Sequence, residues 1–282
     1  MPELPEVQTV MMGLKPALEG RRFTHVETRR GDLRIPFPKG FAARLEGRKI
    51  ERLWRRAKYV MADLDGGETL VIHLGMSGRM SVQGAPLGTY HDAIERLDKH
   101  DHVVMDTDAP ARIVFNDHRR FGLMTLVDTN TIGDHKLFRD VGVEPLSRDF
   151  DADFLVEALK DKKTPIKSAL LDQRIVAGLG NIYVCEALWR ARISPRRRAA
   201  RVKAAEIEVL VTAIKAVLRE AVKAGGSSLR DHKRVDGELG YFQHHFSVYD
   251  RANKRCKRND GGAIRRIVQS GRSSFYCPAC QK

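Results

Sequence analysis

The chain has 282 residues, with 50 Lys and Arg against 36 Asp and Glu and a formal net charge of +14. A chain of this length carries two domains and a sizeable core, and the excess of positive charge suits a polyanion, of which nucleic acid is the commonest. No apolar run approaches the roughly 18–20 residues of a membrane helix, and the acidic N-terminus has no apolar stretch of signal-peptide type.

Leu4, Val7, Val10, Met11, Leu14 and Leu18 recur at helical spacing before Gly20, which predicts a first helix. Loss of the initiator Met, expected before a small residue, would leave Pro2 with a free secondary amine. Such an amine, with an intrinsic pKa of roughly 7.7–8.0, can attack an aldehyde carbon and form an iminium. Glu3 beside it, and Glu6 on the same helical face, are candidate proton shuttles. Proline and glutamate also simply start helices well, so the chemistry stays open at this point.

From about Phe23 the pattern turns to short strands. Lys58–Leu64 and Thr69–Leu74 flank Asp65-Gly-Gly67, and His102–Met105 and Arg112–Asn116 flank Asp108-Ala-Pro110, both hairpin signals. Residues 23–135 are therefore expected to form an all-β sandwich or flattened barrel with the first helix laid against it. After Phe150 the period becomes helical: one helix from Phe154, one over Pro165–Gln173, one over Asn181–Ala191, and a strongly amphipathic one through Ile207–Leu218 that ends at Gly225-Gly226. Residues 227–243 read as a long functional loop. Basic clusters at Arg29-Arg30, Lys162-Lys163, Arg196–Arg198 and Lys254–Arg258 are solvated faces when taken singly.

Four cysteines in such a chain do not make a secreted disulfide framework. Cys256 followed by Cys277-Pro-Ala-Cys280 reads as one and a half zinc knuckles, because two thiolates on one tight turn reach one tetrahedral ion. Asn259 and Asp260 stand where a partner for Cys256 would be. Asp260 can ligate through oxygen and Cys185 could contribute from a distant helix, so the fourth ligand stays open.

The opening Met-Pro-Glu-Leu-Pro-Glu-Val7 resembles the start of the bacterial formamidopyrimidine-DNA glycosylases, and further segments agree in order. Arg55-Arg-Ala-Lys-Tyr59, His73-Leu-Gly-Met-Ser-Gly78, Lys99-His-Asp-His102, Asp117-His-Arg-Arg-Phe-Gly122, Lys162-Lys-Thr-Pro-Ile-Lys167, Gly178-Leu-Gly-Asn-Ile-Tyr183 and Gly271-Arg-Ser-Ser-Phe-Tyr-Cys277 all resemble family motifs. His118 stands where the family has proline, and a finger cysteine is missing. The resemblance implies an α+β fold in three parts. These are a β-sandwich catalytic domain over 1–135, a helix–two-turns–helix DNA-binding domain with a lesion-covering loop over 136–245, and a zinc-finger hairpin over 246–282.

The same resemblance implies a base-excision-repair enzyme, both glycosylase and AP lyase, that removes oxidised purines such as 8-oxoguanine through a Schiff base on Pro2. Glu3 would manage protons. Lys58 would contact the lesion's phosphate and assist β-elimination, and Arg272 would serve δ-elimination. Met76, Arg119 and Phe121 would fill the void of the flipped base, and His100, Lys162, Lys167 and Asn181 would contact DNA. One structural Zn²⁺ on Cys256, Cys277 and Cys280 with an open fourth ligand is implied, and no redox cofactor. The expected partner of a monomer is damaged double-stranded DNA, in the cytoplasm at the bacterial nucleoid. The competing readings are an endonuclease VIII-like enzyme for oxidised pyrimidines, against which Leu4 argues, and a damaged-DNA-binding protein without catalysis.

Overall fold

In the computed structural model, which describes residues 1–84, 97–227, 235 and 240–282, the chain forms two units. One comprises residues 1–139 with 225–241, the other residues 140–224 with 242–282.

The first unit begins with α1 (Leu4–Leu18), which follows an extended Glu3. A capping box closes its N-terminus: the Glu3 backbone N–H donates to Glu6 Oε2 at 2.8 Å, while the Glu3 side chain accepts from the Glu6 backbone. Pro5 sits in the first turn, where its missing N–H costs nothing. The expected apolar stripe, from Leu4 to Leu18, is buried throughout. Each such Leu or Val contributes about 1.5–3 kcal/mol relative to exposure.

After β1 (Phe23–Thr28) comes a short helix, α2 (Phe41–Leu45), and then β2 (Ile50–Arg56), β3 (Tyr59–Leu64), β4 (Glu68–His73), β5 (Arg79–Gln83), β6 (Asp101–Thr107), β7 (Arg112–Asn116) and β8 (Leu123–Asp128). They make two four-stranded sheets with orders β1-β6-β7-β5 and β2-β3-β4-β8, and every pairing is antiparallel. Both expected hairpins are present, and the β3–β4 turn uses Gly67 at φ +76°. One core joins Val10 and Leu14 of α1 to Val60 and Ile72 of one sheet and to Met105 and Phe115 of the other. Among the described residues α2 and a 3-10 turn at Thr129–Asp134 depart from the all-strand expectation. The helix α2 spans less than two turns, and it follows a left-handed Gly40 instead of a capping side chain.

The second unit carries α3 (Ala152–Leu159), α4 (Ile166–Leu171), α5 (Asn181–Arg190), α6 (Ala204–Lys223) and a terminal hairpin of β9 (Arg265–Gln269) and β10 (Arg272–Tyr276). Asp151 caps α3 by accepting from Phe154 N–H at 2.8 Å. The apolar face of α6, from Ile207 to Ala221, is buried as its period requires. Glu186 of α5 is 1% exposed and anchors the segment leading to the hairpin. Its Oε1 accepts from Val248 N–H at 2.9 Å and Tyr249 N–H at 2.8 Å, and its Oε2 from Ser247 N–H at 2.9 Å. The lesion-covering loop expected over 227–243 lies mostly outside the described residues. Its two ends, at Ser227 and Tyr241, pair as an antiparallel bridge.

Gly75, at φ +63°, lets the turn after β4 lie against the turn before β8: a Cβ there would stand 2.3 Å from the backbone carbon of Phe121. Gly75→Ala is expected to cost about 2 kcal/mol or more, through backbone strain plus the clash. Thermal unfolding should then fall by about 4–8 °C, and an unchanged Tm would show that the two turns can separate freely.

Candidate nucleic-acid interface and metal centre

In the first unit Pro2 is buried immediately before the cap of α1, beside Glu3 at 4% and Glu6 at 2% exposure. Glu6 ties this terminus to the segment after α6. Its Oε1 accepts from Ser227 N–H at 2.8 Å and from Ser227 Oγ–H at 3.0 Å. Gly226 permits the approach, because a Cβ there would lie 3.1 Å from Glu6 atoms and its φ is +78°.

Lys58 is 6% exposed and follows Ala57, whose φ of +50° makes the tight β2–β3 turn. Across the β3–β4 ladder Tyr59 faces His73, with ring centroids 4.9 Å apart. Burial first, then the positive charges of Lys58 and Arg34, push the His73 pKa down to about 4. The imidazole is therefore neutral near pH 7, with Nδ1 accepting the Gly75 N–H at 3.0 Å. The sequence reading passed over His73 as the first letter of a motif.

Met76 and Phe121 are exposed at 41% and 44%, unusual for large apolar side chains and suited to insertion into a base stack. The Arg119 guanidinium lies over the Phe121 ring, 4.8 Å from its centroid. Both turns are organised by Asp117, which is fully buried. Its Oδ1 accepts from Ser77 Oγ–H at 2.5 Å, reaching into the Met76 turn, and its Oδ2 from Gly122 N–H at 2.8 Å. Its backbone oxygen accepts from Arg120 N–H at 3.2 Å and meets His102 Nε2 at 2.9 Å. Arg120 takes a positive φ of +58°, and the turn is held by these hydrogen bonds. His100 stands beside it, half-buried, with its ring 6.2 Å from that of His118.

In the second unit Lys162 is half-buried and Arg272 is exposed at the start of β10, opposite Gln269. Asn181 opens α5, and its Nδ2 donates to Ser273 O at 2.9 Å. The expectation that Lys167 meets DNA is corrected. Lys167 is 0% exposed, and its Nζ donates to the same Ser273 O at 2.9 Å and to Ser274 Oγ at 2.7 Å. A fully buried ammonium cannot reach a phosphate; this one fixes the strand directly after Arg272. The Ser274 Oγ–H passes the link on to Gln269 Oε1 at 2.7 Å.

Cys256, Asp260, Cys277 and Cys280 offer ligand atoms that all lie within 4.8 Å of one another. A tetrahedral zinc site has S–S edges of about 3.8 Å and S–O edges of about 3.5 Å, from bonds of about 2.3 and 2.0–2.2 Å. The Cys256 and Cys280 sulfurs are 3.9 Å apart, and Cys277 Sγ lies 3.4 Å from Asp260 Oδ2. Gly262 cradles the cluster, since a Cβ there would be 2.6 Å from Cys277 Sγ. Burial, followed by the Asp260 carboxylate, pushes the Cys280 thiol well above its ordinary range, so a bound cation would have to displace its proton. The residues fit one zinc ion, with Asp260 as the fourth donor. Cys185, 1% exposed, packs near Cys256 and Cys277 but stands outside the donor set.

A β-sandwich with Met76 and Phe121 exposed at one end, a helical unit with exposed cations and a metal-donor hairpin together suit a protein of the DNA-repair class. Residues 1–124 match the formamidopyrimidine-DNA glycosylase N-terminal domain, 141–233 the formamidopyrimidine-DNA glycosylase H2TH domain, and 261–282 a zinc finger found in FPG and IleRS. The formamidopyrimidine-DNA glycosylases of a Jannaschia species and of Ruegeria pomeroyi are each 59% identical over 100% of both chains. Among solved structures, Lactococcus lactis Fpg in complex with abasic-site DNA superimposes with a TM-score of 0.87 at 32% identity, covering 99% of each chain. The wild-type enzyme of that organism with N7-benzyl-Fapy-dG DNA gives 0.88 at 32% identity over 100% of each. The chain belongs to the formamidopyrimidine-DNA glycosylase family.

Because the folded pKa of His73 is depressed, the unfolded chain binds the extra proton between pH 6.5 and about 4. Stability is full above pH 6.5 and falls as pH drops through that window, by about 1–2 kcal/mol at pH 5. Urea unfolding of His73→Gln should show a flatter pH dependence than the parent, and parallel curves would refute the assignment. Lys167→Met should cost about 1–3 kcal/mol by leaving Ser273 O and Ser274 Oγ short of a donor. Hydrogen exchange at 272–276 reports it, and unchanged protection there would show that the hairpin stands without the lysine.

Proposed function

We propose that this protein is a bifunctional base-excision-repair enzyme that removes oxidised purines from double-stranded DNA and cleaves the resulting abasic site. The observation that carries the reading is the buried Pro2–Glu3–Glu6 terminus, present in a chain that matches the family over its whole length. After removal of Met1, the Pro2 nitrogen attacks C1′ of the flipped nucleotide and the base departs with the glycosidic electron pair. Glu3 delivers a proton to the sugar ring oxygen as the ring opens, and the nitrogen loses its proton as the iminium forms. Loss of the C2′ proton then expels the 3′ phosphate by β-elimination, and a second elimination expels the 5′ phosphate. Lys58 and Arg272 neutralise the phosphates that leave. Zinc, when held by Cys256, Asp260, Cys277 and Cys280, supplies structure to the hairpin and no chemistry.

Met76, Arg119 and Phe121 fill the vacated stack, at a cost to the duplex on the order of a few kcal/mol that their contacts offset. His100, Lys162 and Asn181 pin the backbone. The functional parts follow the sequence: catalysis over 1–135, DNA binding over 136–245, and the finger over 246–282. Grouping of 225–241 with the first unit fits a loop that serves the catalytic pocket from a helical neighbour in sequence. Among the described residues no helix is long and apolar enough to cross a membrane. The proposed location is the cytoplasm, at the nucleoid, and the enzyme works as a monomer.

Borohydride trapping on a duplex with 8-oxoguanine opposite cytosine tests this directly. The parent should give a covalent band that is weakened in Pro2→Gly, where a primary amine replaces the secondary one. A Pro2→Gly variant that still traps at the parental rate removes the nucleophile assignment. Trapping only on a dihydrothymine duplex would shift the reading to the oxidised-pyrimidine enzyme.

A further inference from the structure

Three surface arginines of the helical unit are matched to carboxylates: Arg174 with Asp172 at 2.8 Å, Arg190 with Glu220 at 2.6 Å and Arg197 with Glu206 at 2.6 Å. Around Arg197, the connection between α5 and α6 carries three more that are not matched. Arg196, Arg198 and Arg201 are exposed there, and among the described residues none of them has a carboxylate partner. Like charges so close together repel one another, and only a polyanion removes that cost.

This loop is not a loose basic tail. On one flank it pairs with the segment before α4: Ile166 N–H donates to Arg197 O at 2.7 Å, Ala199 N–H to Thr164 O at 2.9 Å, and Ala200 N–H to Lys162 O at 3.2 Å. On the other flank the finger holds it. Gln281 Nε2 donates to Ile193 O at 2.8 Å, Ser194 N–H to Lys282 O at 2.8 Å, and Gln269 Nε2 to Pro195 O at 3.1 Å. Ile193 and Ala199 at 1% exposure and Val202 at 7% turn inward, and the arginines between them turn out. The backbone is thus ordered on folding, so a ligand does not pay that entropy when it binds.

We infer that Arg196, Arg198 and Arg201 form a second phosphate-binding surface, which extends the DNA footprint from Lys162 and Lys163 along the duplex beyond the lesion. Guanidinium forks match phosphate oxygens two at a time, which lysine does not do. The surface reads no sequence; it adds to the salt-dependent grip on undamaged DNA from which a lesion search starts. The inference rests on the DNA-repair reading above.

The test is anisotropy titration of the full-length, zinc-loaded protein with an undamaged duplex of about 30 base pairs, between about 50 and 200 mM salt. The combined variant Arg196→Ala, Arg198→Ala, Arg201→Ala should lower the slope of log K against log salt by about 2–3, at about 0.9 per phosphate contact. Arg174→Ala, which removes a charge already matched by Asp172, should leave the slope unchanged. If the triple variant does not fold, as judged by circular dichroism and zinc content, Arg198→Gln alone should lower the slope by about 1. A folded variant with the parental slope overturns the inference and leaves an acidic protein as the occupant of the loop. Borohydride trapping by the parent is read separately, so failure of this footprint and failure of the repair reading are told apart.

Discussion

The end of the β-sandwich that carries Met76 and Phe121 depends on one buried carboxylate. Asp117 has no access to solvent, and a charge in that position persists only if its lone pairs are filled. They are filled by the Ser77 hydroxyl and the Gly122 amide, which come from two different turns. Satisfying Asp117 therefore fixes the Met76 turn and the Arg119–Phe121 turn to one another. This is why two large apolar side chains can stand exposed at a defined spacing instead of collapsing onto the core. Gly75 serves the same end sterically, since only a residue without a Cβ lets the two backbones meet.

The helical unit solves a comparable problem with different chemistry. Its finger hairpin has five-residue strands and a small apolar cluster, too little to stand alone. Lys167, Asn181 and Glu186 supply the missing order from beneath, and the four metal donors supply it from within. Arg272 thus sits on a strand whose next carbonyl is held twice, so that its direction is set by helices distant in sequence.

Much of this was legible in the residues. The Gly66-Gly67 turn, the apolar stripe of α1 and the period of α6 each carry a local signal, and each produced the expected element. The metal donors were legible as a set, with the fourth left open, because ligand spacing is a local property while the approach of Asp260 is not. Lys167 misled for the same reason. It lies in a basic motif, but its partners are 106 and 107 residues away, and no local pattern shows that a lysine points inward. The turn that contains His118 is held by Asp117, whose role a lone acidic letter does not announce.

The bond between Glu6 and Ser227 joins positions 221 residues apart. A ribosome releases the first unit's final segment only after the helices of the second unit through α6 have been made. The N-terminus therefore waits, through most of synthesis, for the partner that locks its cap. Val235, which joins the sandwich core, comes from the same late segment. The timing of translation thus leaves the cap of the first helix unlocked until the last long helix is complete.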